Sequence, residues 1–307
     1  MNIQTTYNDL PQYLKKVVED RLDQRITHWT KPDCGLSSAI RYSLQLEDKN
    51  KVFIKAATDS ETEEWLRTEH LVLASYNKDF MPAIVGWIDE PESYPVLITQ
   101  DFSDAYWAAG NNGVCWRNGD IDLLLDTVKK LSTVKGHRSL SKLKNNNAKV
   151  WTKVAENPDG FLKLKLCSKN WLKQSIDYLI EAENNLDNTG EVLVHGDIRS
   201  DNICINKPRV IFVDWSNAGI GSFDHDLANL LPTLHLEGGP TPDQIMPNAA
   251  NQATYICATH IQRLSKDKSI PSWLTNVFKK LIAIELEWAA KCLNLDKPDG
   301  INWNQIN

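Results

Sequence analysis

The sequence predicts an α+β protein, a small strand-rich lobe followed by a larger, mostly helical one. Three observations carry that prediction. Before Asp101, short apolar runs alternate with polar turns and enclose one strongly periodic helix. After Asp101, apolar residues recur at helical spacing over long stretches. That helical series is interrupted by closely spaced apolar runs, Val192 to Val194, Ile203 to Ile205 and Val210 to Val213.

Taken in order, Asp9 to Leu22 reads as an opening helix, and Gly35-Leu36-Ser37-Ser38 as a small-residue turn. Ala39 to Leu46 and Val52 to Ala57 read as strands around the polar turn Glu47-Asp48-Lys49-Asn50. Ser60, with Glu63 three residues on, signals the start of a helix running to Tyr76. Ile84 to Ile88 and Val96 to Thr99 are further strands. Helical periodicity then covers 119–134, 171–187, 224–234, 243–265 and 272–293, with a polar stretch from His137 to Asn170 and a loop at Asn145-Asn146-Asn147. The cleft between two such lobes is where ligands are expected.

At 307 residues the chain can bury a sizeable core, and its ordinary apolar content marks a globular protein. A net charge of −6 argues against a nucleic-acid partner, which needs a basic face, and is compatible with a cationic substrate. The six cysteines are scattered without paired C-x-x-C spacing, so no structural zinc site is expected. The start, Met1-Asn2-Ile3-Gln4, shows no leader pattern, and no apolar run approaches the roughly 18 residues of a membrane span. A cytoplasmic location without membrane association is the expectation.

The chemistry concentrates in one segment. Val192 to Val194 delivers His195-Gly196-Asp197 into a loop, and Asn206-Lys207-Pro208-Arg209 turns the chain between two strands. Folding that hairpin about Pro208 brings Asn202 and Asp214 to its open end, beside Asp197. An amide oxygen next to a carboxylate suits Mg²⁺, a hard cation that takes phosphate oxygens as further ligands. A free carboxylate nearby, Asp197, can orient a hydroxyl for attack on phosphorus. Arg199 is placed to reach the transferred group, while His195 reads as a brace for the loop.

A second pair lies upstream. Trp65, Leu66, Val72 and Leu73 form one apolar arc at about 100° per residue, and Glu69 falls inside it. A carboxylate on a core-facing stripe needs a partner, and Lys55 at the end of Val52-Phe53-Ile54 supplies one. A lysine so held can bind nucleotide phosphates. Gly35, Ser37 and Ser38 could present backbone N–H groups or hydroxyls to phosphate, although no Walker-type glycine motif occurs.

His195-Gly196-Asp197-x-x-x-x-Asn202, with Asp214-Trp215 downstream, resembles the aminoglycoside phosphotransferase and choline kinase-like family, whose fold is similar to that of protein kinases. The resemblance is strong over 192–231 and loose elsewhere, and the segment Leu236-Glu237-Gly238-Gly239-Pro240 resembles a bacterial subgroup of that family. It implies a nucleotide-binding lobe at 1–101 and a helical lobe at 102–307 holding the catalytic loop and acceptor site. It further implies Asp197 as base, Asn202 and Asp214 as Mg²⁺ ligands, Lys55 with Glu69 on the phosphates of ATP or GTP, and Asp226 bracing the loop. The adenine would meet backbone from Thr99 to Phe102, with Gln100 and Phe102 in contact. Protein kinases carry Asp-Phe-Gly where this chain has Asp214-Trp215-Ser216, so a protein acceptor is not implied.

The expected activity is ATP-dependent phosphoryl transfer to a hydroxyl of a small molecule, an aminoglycoside-like compound, a sugar or an amino alcohol. Glu237, Asp243, Glu285, Glu287 and Trp288 are acceptor-side candidates. Two other readings compete. One is a metal-dependent phosphohydrolase with His195, Asp197, His225 and Asp226 as ligands, which leaves Lys55, Glu69 and Asn202 without a purpose. The other is a nucleotide-binding module without turnover.

Overall fold

The computed structural model describes residues 10–32, 37–110, 113–144, 148–266 and 270–306. The expected loop at Asn145-Asn146-Asn147, the start of the opening helix at Asp9 and the phosphate-facing candidate Gly35 lie outside the described residues.

The chain runs α1 (Gln12–Leu22), β1 (Ile26–Thr30), β2 (Ile40–Leu46), β3 (Lys51–Ala56), α2 (Ser60–Ser75), β4 (Ile84–Ile88) and β5 (Val96–Gln100). Three two-residue strands follow, β6 (Tyr106–Trp107), β7 (Ala109–Gly110) and β8 (Gly113–Val114), and then α3 (Asp120–Leu131). Next come α4 (Val150–Glu156), α5 (Asp159–Leu162), α6 (Lys169–Asn184), β9 (Val192–Val194), β10 (Ile203–Asn206), β11 (Arg209–Phe212) and β12 (Gly219–Gly221). The chain closes with α7 (His225–Leu236), α8 (Pro242–Ile245), α9 (Ala250–Lys266) and α10 (Ser272–Cys292). Strands before Asp101 and helices after it bear out the α+β expectation.

Two compact units form, one of residues 1–141 with 193–220, the other of 142–192 with 221–307. The segment holding His195 to Asp214 therefore belongs to the unit of the amino-terminal sheet.

In the first unit an antiparallel sheet runs in the order β1-β2-β3-β5-β4. Its two faces differ in kind. Side chains alternate across a strand, and Tyr42, Leu44, Val52, Ile54, Ala56, Val96 and Ile98 join Leu14 and Val18 of α1 in one buried cluster. The other face carries Arg41, Ser43, Phe53, Lys55, Leu97 and Thr99, in register across β2, β3 and β5. A second small sheet, β11-β10-β6, buries Cys204 and Ile211 with Phe102.

The second unit is helical. Helices α9 and α10 pack along each other, and Trp151 and Trp288 fill its interior. Each indole is satisfied: Trp151 Nε1 donates to the Thr254 carbonyl at 3.1 Å and Trp288 Nε1 to that of Met246 at 3.1 Å.

Several local expectations need correction. Asp59, not Ser60, caps α2. Its carboxylate accepts from Thr62 N at 2.8 Å, and the Thr62 hydroxyl closes a capping box where Glu63 was expected to act. The single helix expected over 243–265 is two, α8 and α9, separated at Met246-Pro247, where proline supplies no N–H to continue the ladder. The polar stretch 137–170 contains α4 and α5. The α4 helix lacks a capping residue of its own, and Glu183 of α6 accepts from the N–H groups of Val150 and Trp151 at 2.8 and 2.9 Å. Strand β1, with one buried residue in Ile-Thr-His-Trp-Thr, showed no alternation to read.

Candidate active site

Lys55 is the middle of a three-member ion cluster in the first unit. Its Nζ lies 2.8 Å from Glu69 Oε2 and 2.9 Å from Asp214 Oδ1. Lys55 points off the polar face of β3, and Glu69 sits on the buried stripe of α2 with Leu66, Val72 and Leu73. Asp214 follows β11 in the left-handed conformation, φ 64°, and begins a 3₁₀ turn over Trp215–Asn217. Trp215 N–H also donates to Glu69, which ties α2 to that turn. Burial alone would favour neutral Lys55, but Glu69 and Asp214 outweigh it and hold the ammonium above its ordinary pKa. Asp214 is likewise opposed by burial, yet Lys55 draws its carboxyl well below the usual range.

The loop after β9 is built around His195, which is fully buried against Phe212 and Trp215. Its Nε2 donates to the Val213 carbonyl at 3.0 Å, and its Nδ1 accepts from Asp197 N at 3.3 Å. Burial lowers its pKa to about 4, so at neutral pH the ring holds this single tautomer. Both ring nitrogens are engaged by backbone, which leaves His195 no lone pair for a metal and removes it from the hydrolase reading. Among the described residues no group of three or more His, Cys, Asp or Glu is arranged to hold a metal.

Gly196 turns the loop with φ +79°, and a Cβ there would lie 2.4 Å from the Asn217 carbonyl oxygen. Gly196→Ala is therefore expected to cost about 2 kcal/mol or more, from backbone strain and the displaced 215–217 turn. A urea midpoint unchanged from that of the unsubstituted protein would contradict this account.

Asp197 and Asn202 are locked together. Asn202 Nδ2 donates to the Asp197 carbonyl and to Asp197 Oδ2, both at 3.0 Å. Burial raises the Asp197 carboxyl above its ordinary pKa; Arg199 opposes this, and Asp201 and Asp214 add to it. The hairpin register pairs Ile203 with Phe212, and Val213 N donates to the Asn202 carbonyl at 3.0 Å. Asn202 thus lies opposite Val213, one residue short of the symmetric placement expected about Pro208.

Arg199 bridges two carboxylates, with Nε 3.4 Å from Asp197 Oδ1 and Nη2 3.0 Å from Asp201 Oδ2. The Ser37 hydroxyl accepts from Arg41 Nη2 at 2.6 Å. Ser38 Oγ donates to Asp59 Oδ2 at 2.6 Å, so it serves the α2 cap. Gln100 ends β5, its N–H bonded to the Ala83 carbonyl at 2.9 Å. The Phe102 carbonyl accepts from Ala105 N and Trp107 Nε1, both at 3.0 Å. Asp226 is buried in the first turn of α7, in the second unit.

Among the acceptor-side candidates, Glu285 is fully buried and pairs with His260 Nδ1 at 2.8 Å. Trp288 is core, Asp243 pairs with Lys291 at 3.2 Å and Glu287 with Lys297 at 3.1 Å.

A buried Lys–Glu–Asp cluster beside a loop in which Asn202 holds Asp197, under an antiparallel sheet, defines a kinase-like class of protein. Residues 118–264 match the model of the phosphotransferase enzyme family. Solved structures share the fold. A spectinomycin phosphotransferase in complex with ADP and spectinomycin aligns with a TM-score of 0.58 and 14% identity, over 96% of this chain and 100% of its own. The macrolide 2'-phosphotransferase MphH from Brachybacterium faecium gives 0.56 and 12%, over 89% and 98%. APH(2")-IIia in complex with GDP and kanamycin gives 0.54 and 14%, over 92% and 98%. A comparison with curated proteins finds no match. The resemblance carried by His195 to Asn202 and Asp214 is thereby borne out, and the chain is an enzyme, a small-molecule kinase on a protein kinase-like fold. No helix among the described residues is long and apolar enough to cross a membrane.

Proposed function

We propose that this kinase transfers the γ-phosphoryl group of ATP or GTP to a hydroxyl of a small hydroxylated molecule, an amino sugar, another antibiotic-like compound or an amino alcohol. Residues 1–101 would serve the nucleotide and 102–307 the catalytic loop and acceptor. The observation that carries the reading is the ammonium of Lys55 held between Glu69 and Asp214 at 2.8 and 2.9 Å. A buried lysine fixed by two carboxylates is a preorganised cation for phosphate oxygens.

Asn202 and Asp214 supply two hard oxygen donors. The Asn202 amide nitrogen is spent on Asp197, which leaves its oxygen for a cation. This donor set fits Mg²⁺, which retains waters and takes phosphate oxygens instead of requiring a full protein cage. When bound, the ion would neutralise charge on the phosphates. Asp197, steered by Asn202, would accept a hydrogen bond from the acceptor hydroxyl and take its proton as the oxygen attacks phosphorus. Arg199, already beside Asp197, is the candidate to meet charge on the transferred group. The Phe102 N–H and the Gln100 backbone would receive the purine edge.

The activity is tested with Mg²⁺, ATP or GTP and a panel of aminoglycosides, spectinomycin, macrolides, sugars and amino alcohols, reading nucleoside diphosphate release. Acceptor-dependent release that Asp214→Asn abolishes supports the reading. Nucleotide binding without release for any acceptor would favour the binding-module alternative.

A further inference from the structure

The sheet register places a second cation beside Lys55. Arg41 and Lys55 are direct cross-strand partners on β2 and β3, about 5 Å apart at their backbones. Their neighbours on either side, Tyr42 with Ile54 and Ala56, belong to the buried cluster on the opposite face. Alternation therefore puts Arg41 and Lys55 on the same face, the one that meets Glu69 and Asp214.

Arg41 is half-buried, and among the described residues its guanidinium is held by neutral groups: Nη1 donates to the Ala39 carbonyl at 2.9 Å and Nη2 to Ser37 Oγ at 2.6 Å. Among the described residues it forms no ion pair with a carboxylate, unlike Arg25, Arg67, Arg117 and Arg199. A nucleotide would bring several negative charges to a place where Glu69 and Asp214 already share one lysine and Asp197 is paired with Arg199. An arginine with no carboxylate partner among the described residues, on the same row of the sheet, meets that imbalance. A guanidinium has five N–H donors in a fixed fork suited to phosphate.

We propose that Arg41 is a second phosphate-binding cation of this site, using the donors that Ser37 and Ala39 leave free to hold an oxygen of the nucleotide's β- or γ-phosphate beside Lys55. The proposal rests on the nucleotide reading above and adds a residue to it.

The test is calorimetric titration of the full-length protein, Arg41→Gln and Arg41→Lys with adenosine, ADP and a non-hydrolysable ATP analogue, and with the guanine series. Arg41→Gln is expected to weaken diphosphate and triphosphate binding by about 10- to 100-fold. Nucleoside binding should be unchanged, and Arg41→Lys should recover part of the loss through its charge alone. The salt dependence of ADP binding should be shallower in Arg41→Gln. Unchanged ADP affinity in a folded Arg41→Gln overturns the proposal. Equal losses for adenosine and ADP, or no recovery in Arg41→Lys, also overturn it, since they reassign Arg41 to shaping the loop. If the unsubstituted protein binds no purine nucleotide, the nucleotide reading itself fails, and this is visible before any variant is made.

Discussion

Replacing Asp197 with Ala is expected to lower turnover by about 10³-fold or more while nucleotide affinity stays within about threefold. The separation follows from how the loop is held. Asn202 anchors the Asp197 backbone carbonyl as well as its carboxylate, and His195 accepts from the Asp197 N–H. Neither backbone bond needs the side chain, so the alanine variant keeps the loop, and Asn202 and Asp214 keep their places. What would disappear is the group proposed to orient and deprotonate the acceptor. Removing a carboxylate whose charge is disfavoured by burial and by Asp201 and Asp214 should not destabilise the fold. The pH profile gives a second readout. The base acts ionised, so turnover should fall as pH drops through the Asp197 pKa, on a limb lying above the ordinary carboxylate value of 3.8. Equal turnover in Asp197→Ala, or a parallel loss of nucleotide binding and of stability, would remove Asp197 from the chemical step.

Much of this site was legible because its parts are local. The pairing of Lys55 with Glu69 came from helical periodicity: a carboxylate among Leu66, Val72 and Leu73 has to find a cation, and strand β3 ends in one. The loop and hairpin from His195 to Asp214 were legible because turn chemistry at Lys207-Pro208 and apolar strands on either side fix the register to within a residue. The entry of Asp214 into the Lys55 cluster was not legible. The two residues are 159 apart in sequence, and no periodicity links them. The role of Ser38 was obscured for another reason. Ser60 and Asp59 are both good caps; the bond from Thr62 N shows that Asp59 is used, and Ser38 then donates to that same carboxylate. Arg41 was not legible either. Folding β2 onto β3 about the turn Glu47 to Asn50 would set residue 42 opposite 55, whereas the chain pairs Leu46 with Asn50 and so Arg41 with Lys55, a one-residue shift that moves Arg41 to the face of Lys55.

Lys55→Met is expected to be the most destabilising single change at the site, costing about 3 kcal/mol at neutral pH. Met conserves the length of the stem, so the loss is electrostatic and not a cavity. Glu69 has a side chain only 5% exposed, and without Lys55 its carboxylate keeps the Trp215 N–H and faces Asp214. Protonation of Glu69 limits the penalty, since a buried carboxyl escapes its charge by raising its pKa. The pH dependence has a definite sign. Lys55 is held above its ordinary value of 10.5, so its contribution is complete below that pH and disappears as pH rises through the folded-state value. Asp214 is held below 3.8, so its contribution is complete above that pH and disappears as pH falls through the folded-state value. The stability difference between the unsubstituted protein and Lys55→Met should therefore be widest between these limits and close toward both ends, on the acid side first because Glu69 protonates there in the variant. Lys55→Met/Glu69→Leu should regain part of the loss, since a buried ion pair replaced on both sides by apolar groups costs far less than one broken on one side. Denaturant unfolding of the two variants across the pH range decides the matter. A Lys55→Met protein within about 1 kcal/mol of the parent at neutral pH, typical of an exposed pair, would show that Lys55 is not the buried hub the geometry makes it.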